Sequence, residues 1–343
     1  MAEKKEALLI FSKPPIPGLV KTRLTVEHGG IFSPEQSAEL FRRCLYDVSE
    51  MGMHSLIELQ RENDAAVAAD PSADKITYDF FISTTPASAM EKMKETFDEI
   101  GPWPMEVHYL IDNGHTFDDH FDDAIGQLFD MGYESVVSIG ADVPVMPKSH
   151  LKQAFQWLDY FQSIGKPGFV SAPCQECGTS LVGFSYNTPI NNQGIYYNMD
   201  GRAALDGYVE KLKGSDIPSA YFEPVADIDE VPDLAHAISC MRAIKEAGKY
   251  QNLFVPNRVL DWVDYMGITV STPPNEEHDP RQYLDGEEPE EAAAKKKLDE
   301  EDPLDPKQTA TLDDEARARI AEGLGAVTKA RAAENAYEAS KYE

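Results

Sequence analysis

The sequence predicts an α/β fold, a mostly parallel central sheet with helices on both faces. Two observations carry that expectation. Short strand-like runs alternate with longer segments of helical period through residues 1–250, the order a parallel sheet needs when each crossover is a helix. The run SVVSI at 135–139 reads as a strand buried in the middle of such a sheet. No internal repeat is visible, so a solenoid is not expected.

In chain order, residues 7–11 form the first strand. Residues 34–51 have helical periodicity, with Leu40, Phe41, Cys44, Leu45 and Val48 on one side and Ser33 as a cap. The polar stretch 60–74 is expected to be an inserted loop. Strands are then expected at 77–82, 106–111, 135–139, 168–172, 180–184 and 220–223. Helices are expected at 87–100, 117–131, 148–161, 202–213 and 231–247. Residues 250–270 are apolar enough to pack back on the domain.

The chain has 343 residues and a formal charge of -29. That charge argues against nucleic acid or an anionic membrane as partner, since both need clustered Lys and Arg. A small phosphate ligand remains compatible, because a few local cations, backbone N–H groups and a divalent metal can hold it. No run approaches the ~20 apolar residues of a membrane span. The N-terminal MAEKKEALLIF is too short for a signal segment and reads as a strand, which places the protein in the cytoplasm. The four cysteines give no disulfide framework. Cys174 and Cys177 form a CxxC that lacks the second pair or the nearby histidines a zinc site needs. From 271 to 343 there are 20 acidic and 10 basic residues, a net of -10 that leaves -19 on the rest. The expected organisation is therefore a domain over 1–250, an extension packing on it over 251–272, an acidic disordered linker over 273–310, and an Ala-rich helix or tail over 311–343. Thr311 would cap that helix, and the tail could meet a protein partner.

Three segments after strands could carry chemistry, because ligands of open α/β sheets sit beyond the carboxyl ends of the strands. Residues 12–24 combine Pro14, Pro15, Pro17 and Gly18, which make a stiff turn, with Lys13, Lys21, Thr22 and Arg23. They suit an anion, or are a Pro-rich surface loop with solvated cations. In IGADVPVMP at 139–147, Asp142 could ligate a hard cation and Gly140 would allow close backbone approach; Asp142 could equally cap the next turn. In ADIDEVPDL at 226–234, Asp227 and Asp229 alternate, and an N-cap is again the plain alternative. The histidines at 108, 115 and 120 lie in an Asp-rich stretch and read as solvated.

Together these segments resemble a family of bacterial GT-A-like transferases found near radical-SAM or selenocysteine-related genes, related to the nucleotide-diphospho-sugar transferases. The run FSKPPIPGLVKTRL at 11–24 is similar at every fixed position to the family's F-x-K-x-P-x-P-G-x-V-K-T-R-L. GYESVVSIGADVP resembles its middle block, and DIDEVPDL its late block. The resemblance spans about residues 7–245. Two places depart from it. Residues 174–183 (CQECGTSLVG) replace a family A-E-D-G-G-Y-Y-L-I-G, keeping an acid only as Glu176, and His120 stands where the family has Arg.

The resemblance implies a three-layer GT-A or nucleotide-diphospho-sugar transferase fold. It implies a glycosyltransferase that moves a sugar from a nucleoside diphosphate sugar to a small-molecule acceptor with Mg²⁺ or Mn²⁺. Lys13, Pro17, Gly18, Lys21, Thr22, Arg23 and Gly140 would bind the nucleotide. Asp142 and Asp227 would hold the metal, and Asp229 or Glu176 would be catalytic. The GTSL run is also similar to guanylyltransferases of deazaflavin-cofactor synthesis, which keeps nucleotidyl transfer from an NTP as an alternative. The altered 174–183 block and the replaced Arg suit a third reading, a transferase fold kept as a binding or assembly subunit.

Overall fold

The computed structural model describes residues 3–270 and the backbone of 310–312. β1 (Glu3–Phe11) is flanked on both sides by parallel strands, β2 (Lys75–Thr84) and, across the chain, β4 (Ser135–Ile139). β3 (Val107–Ile111) extends the sheet parallel to β2. On the far side β6 (Thr179–Ser185) runs antiparallel to β4 and to β5 (Phe169–Pro173), and β7 (Ser219–Tyr221) is parallel to β5. The order is β3-β2-β1-β4-β6-β5-β7. Four neighbouring parallel strands, β3, β2, β1 and β4, thus deliver their C-terminal ends to one edge.

Alternation along β1 divides the core. Leu8 and Ile10 face a cluster that includes Leu45 of α1 (Pro34–Ala69) and Phe155 and Leu158 of α4 (Lys148–Ser163). Ala7 and Leu9 face the other side, with Phe121, Ile125 and Leu128 of α3 (Phe117–Asp130). Each fully buried Leu or Ile contributes roughly 1.5–3 kcal/mol, so a one-residue slip of β1, which would exchange the two faces, is strongly disfavoured. The helices start where side chains satisfy their free N–H groups. Ser33 and Gln36 cap α1 reciprocally, and Thr116 and Asp119 cap α3 in the same way. α2 (Met90–Asp98) and α5 (Ala204–Leu212) complete the layers.

The polar stretch 60–74 is not the inserted loop its composition suggested: α1 continues to Ala69. Two of its polar residues finish the ladder of β2. The Ile76 N–H donates to Asn63 Oδ1 (2.9 Å), the Tyr78 N–H to Gln60 Oε1 (3.4 Å), and Gln60 Nε2 to the Ile76 carbonyl (3.0 Å). β3 begins only opposite Phe80, so these backbone groups would otherwise lack partners. Side chains that pair a strand edge look like loop residues in the sequence.

A third cluster joins Leu24, Phe32, Leu40 and Cys44 to α6 (Val231–Ala247) and α7 (Asn257–Tyr265). Arg258 clamps α7 to α1 through Asp47 (2.9 Å) and Glu50 (2.5 Å), and the Val259 N–H donates to Asp47. β8 (Ile268–Val270) pairs antiparallel with β9 (Ala310–Leu312). Most of the acidic linker and the helix expected after Thr311 lie outside the described residues. Among the described residues no helix is long and apolar enough to cross a membrane.

Candidate active site

Because β1 and β4 are neighbours, the loops that leave their C-terminal ends meet. The loop after β1 is stiff, with Pro14 and Pro15 buried and Gly18 at φ 82, where a side chain would be strained. Lys21 also adopts a left-handed backbone, φ 49 and ψ 41, uncommon for a residue with a side chain. Ser37, in the first turn of α1, holds it there by donating Oγ to the Lys21 carbonyl at 2.7 Å. The Lys21 ammonium then points inward, donating to Asp142 Oδ2 at 2.5 Å and to Asp229 Oδ1 at 2.7 Å. Arg23 Nη1 lies 3.5 Å from Asp229 Oδ2.

Asp142 stands just beyond β4, and its carboxylate folds back over Gly140. A Cβ at Gly140 would come within 2.6 Å of Asp142 Oδ1, so a side chain there would displace the carboxylate. The Ile228 N–H donates to the Asp142 carbonyl (3.1 Å), fastening the 226–229 segment to the loop after β4. Neither Asp142 nor Asp229 caps a helix. Pro147 precedes α4, and Glu230 forms a reciprocal cap with Asp233 at the start of α6.

The charges in this cluster do not balance. Three carboxylates, Asp142, Asp227 and Asp229, face Lys21 and Arg23. Burial, then the charges of Asp142 and Asp229, push Asp227 up to about 7 against the pull of Lys21. Burial also opposes ionisation of Asp229, yet Lys21 and Arg23 hold it below the usual carboxylate range. Burial would lower Lys21, but Asp142 and Asp229 overcome it and keep the amine charged to unusually high pH. The backbone of Asp227 is gripped by Gln175, whose Nε2 donates to the Asp227 carbonyl (2.6 Å) while its Oε1 accepts from the Asp227 N–H (3.3 Å).

Gln175 belongs to the five-residue hairpin joining β5 to β6. Glu176 and Cys177 are exposed and left-handed, at φ 58 and 62. Cys174 is free, and burial followed by the charge of Asp227 pushes its thiol up to about 12. Among the described residues no group of three His, Cys, Asp or Glu is already disposed around a metal position. Lys21 instead stands between Asp142 and Asp229. The remaining donors are hard carboxylate oxygens with one negative charge in excess, a set that fits a divalent cation once a phosphate shares its coordination.

Of the residues singled out in the sequence, Lys21, Arg23, Asp142, Asp227 and Asp229 converge, with Gly140 beneath Asp142. Pro17, Gly18 and Thr22 shape the loop, Thr22 through its carbonyl, which accepts from Thr25. Lys13 and Glu176 are exposed and make no ion pair among the described residues. Sequence reasoning missed Ser37 and Gln175, which act through backbone contacts, and it misread His120. That ring is not simply solvated: its Nδ1 lies 2.8 Å from Oδ1 of buried Asp112. The available signal was position, since Asp112 directly follows β3.

Residues 69–198 match the model of a family described as uncharacterized protein conserved in bacteria (DUF2064). The matched segment contains Asp142 and Glu176 but neither Lys21 nor Asp229. Comparison with curated proteins finds no match. Among solved structures, a protein of Desulfovibrio desulfuricans G20, named provisionally as a nucleotide-diphospho-sugar transferase, superposes with a TM-score of 0.55. It shares 21% identity over 76% of this chain and 95% of its own. The chain shares the α/β fold of that protein. A cytidylyltransferase from Leptospira borgpetersenii serovar Hardjo-bovis is more distant (TM-score 0.40, 12% identity, 77% of this chain and 94% of its own). So is the 4-diphosphocytidyl-2C-methyl-D-erythritol synthase of Anaerococcus prevotii DSM 20548 (0.37, 10%, 70% and 96%), and neither bears on function here. In this fold, the Lys21 cluster occupies the edge where the parallel strands end and ligands of open α/β sheets bind.

Proposed function

We propose that the protein is a divalent-cation-dependent transferase that takes a nucleoside diphosphate sugar as donor and a small molecule as acceptor. The observation that carries this reading is Lys21 held between Asp142 and Asp229, with the uncompensated Asp227 beside them, where β1 and β4 end. Asp142 and Asp227 would hold Mg²⁺ or Mn²⁺, which when bound neutralises the leaving diphosphate. Lys21 and Arg23 would supply charged donors for the phosphate oxygens, and Lys13 and Thr22 belong to the same loop.

Asp229 serves this site by aiming Lys21 and Arg23. Its lowered pKa makes it a weak base. Glu176, exposed on the hairpin beyond Asp227, is the carboxylate better suited to take the acceptor's proton. In the transfer, the acceptor oxygen bonds to the anomeric carbon of the sugar, the bond from that carbon to the diphosphate breaks, and the hydroxyl proton passes to the carboxylate.

Incubation with a panel of nucleotide sugars and of NTPs, each with Mg²⁺ and followed by phosphorus NMR, tests this reading. Release of a nucleoside diphosphate from a nucleotide sugar supports it. Pyrophosphate released from an NTP would assign nucleotidyl transfer instead. Absence of any turnover, together with absence of any nucleotide binding, would contradict the enzyme reading altogether.

A further inference from the structure

The hairpin that joins β5 to β6 carries two cysteines that the proposed chemistry leaves unused. Cys174 is half-buried, Cys177 is exposed, and both are free thiols. The other two cysteines are placed elsewhere. Cys44 is buried on α1, and Cys240 lies on α6 with its sulfur 3.5 Å from His236 Nε2.

The local backbone brings Cys174 and Cys177 together. A 3₁₀ turn covers Gln175–Cys177, with Cys174 as its N-cap. Such a turn holds its first and fourth Cα atoms within about 7 Å, the span over which a disulfide can form. The Cys174 N–H also donates to the Gly178 carbonyl (3.1 Å), closing the hairpin around Cys177. Cys174 Sγ leans into that ring: a Cβ on Gly178 would come within 2.7 Å of it. The sulfur therefore lies against the residue that follows Cys177.

The same turn is tied to the candidate site. Gln175, one of the two residues between the cysteines, holds the Asp227 backbone through both atoms of its amide (2.6 and 3.3 Å). The thiols are unbonded in this conformation, so joining them moves at least one sulfur and the turn that carries Gln175. We infer that Cys174 and Cys177 are a reversible dithiol–disulfide pair whose oxidation loosens the hold of Gln175 on Asp227. Such a pair acts on this segment whether or not the site transfers a sugar.

The oxidant is a small-molecule disulfide such as oxidised glutathione. The exposed Cys177, as thiolate, attacks one sulfur of that disulfide, its S–S bond breaks, and one glutathione thiolate leaves. Cys174 then gives its proton to solvent and attacks the Cys177 sulfur, expelling the second glutathione. Two protein thiols lose two electrons and two protons, and one glutathione disulfide becomes two thiols. Excess reduced glutathione runs the exchange backwards.

Equilibration of the full chain at varied ratios of reduced to oxidised glutathione, then alkylation and peptide mass spectrometry, tests the pair. The peptide holding both cysteines should become two hydrogens lighter and resist alkylation, and reduction should reverse the change. Cys174→Ser should instead leave Cys177 as a glutathione adduct, the trapped intermediate. A lasting adduct at Cys177 in the wild-type chain, a bond to Cys44 or Cys240, or no bond at any ratio would overturn the pair. Hydrogen exchange reads the coupling. The Asp227 amide should exchange about tenfold faster in the oxidised chain than in the reduced one. That difference should be absent from Cys177→Ser. Equal exchange in the two wild-type forms overturns the coupling to Asp227. Neither readout uses a nucleotide, so each result is separable from a failure of the transferase reading.

Discussion

At Lys21 the candidate site is held by charge: an ammonium reaches two carboxylates from different loops, and a third is crowded toward protonation. At the hairpin between β5 and β6 it is held by backbone. Two consecutive residues with side chains are left-handed, Gln175 grips a main-chain segment, and Glu176 projects into solvent. The first end is preloaded and can be rearranged only by ligands that replace its charges, such as a phosphate and a cation. The second end carries strain and few side-chain constraints, so its sequence is free to change with the acceptor. The departure of residues 174–183 from the pattern that 11–24 follows has its physical setting here.

The largest expected effect comes from breaking the charged end. Lys21→Met should lower kcat/KM about 10³-fold by removing a cation aimed at the phosphates. It should also destabilise the ligand-free protein in a urea melt by less than the about 3–5 kcal/mol of a fully buried pair, because Asp229 is 40% exposed and water screens it. At the other end, Glu176→Gln should reduce kcat about 10²-fold and leave donor affinity unchanged in a calorimetric titration. Equal losses in donor affinity from both variants would dissolve the contrast between the two ends.

Proton linkage gives a smaller effect. The Asp227 carboxyl is raised from 3.8 to about 7, so its contribution to stability is complete below the lower value and is lost as pH rises through the upper one. The ligand-free protein should melt at a lower temperature at about pH 8 than at about pH 5, and Asp227→Asn should flatten that slope. Asp47, pushed up to about 6 by burial, and Asp112 act in the same direction, so the difference between the two proteins is the readout. Mg²⁺ affinity in the presence of a nucleoside diphosphate should rise over the same interval, as Asp227 becomes a carboxylate.

The smallest effect belongs to the backbone of the hairpin. Glu176→Gly should raise stability by up to about 1 kcal/mol, since glycine takes a left-handed conformation without strain. A fall in stability would show that the Glu176 side chain holds the loop.

The sheet was legible because β1 and β4 are apolar runs followed at once by turn residues. The same strand-end logic singled out Lys21, Asp142 and Asp229. What could not be read was their meeting. It depends on a left-handed backbone at Lys21 and on a hydroxyl from Ser37, which no local pattern encodes. Gln60 and Asn63 looked like loop residues because their partners are the backbone amides of a strand more than ten residues away. His120 looked solvated among acids because the carboxylate beside it, Asp112, is buried and accepts a hydrogen bond from Ser83, far earlier in the chain.

The central claim is that Asp142 and a divalent cation act together on a nucleotide. Calorimetric titration of the best-binding nucleoside diphosphate, with and without Mg²⁺, into the wild-type chain and Asp142→Ala tests it most directly. Mg²⁺ should tighten wild-type binding by about tenfold or more, and that gain should vanish in Asp142→Ala. Binding indifferent to both Mg²⁺ and the loss of Asp142 would contradict the account.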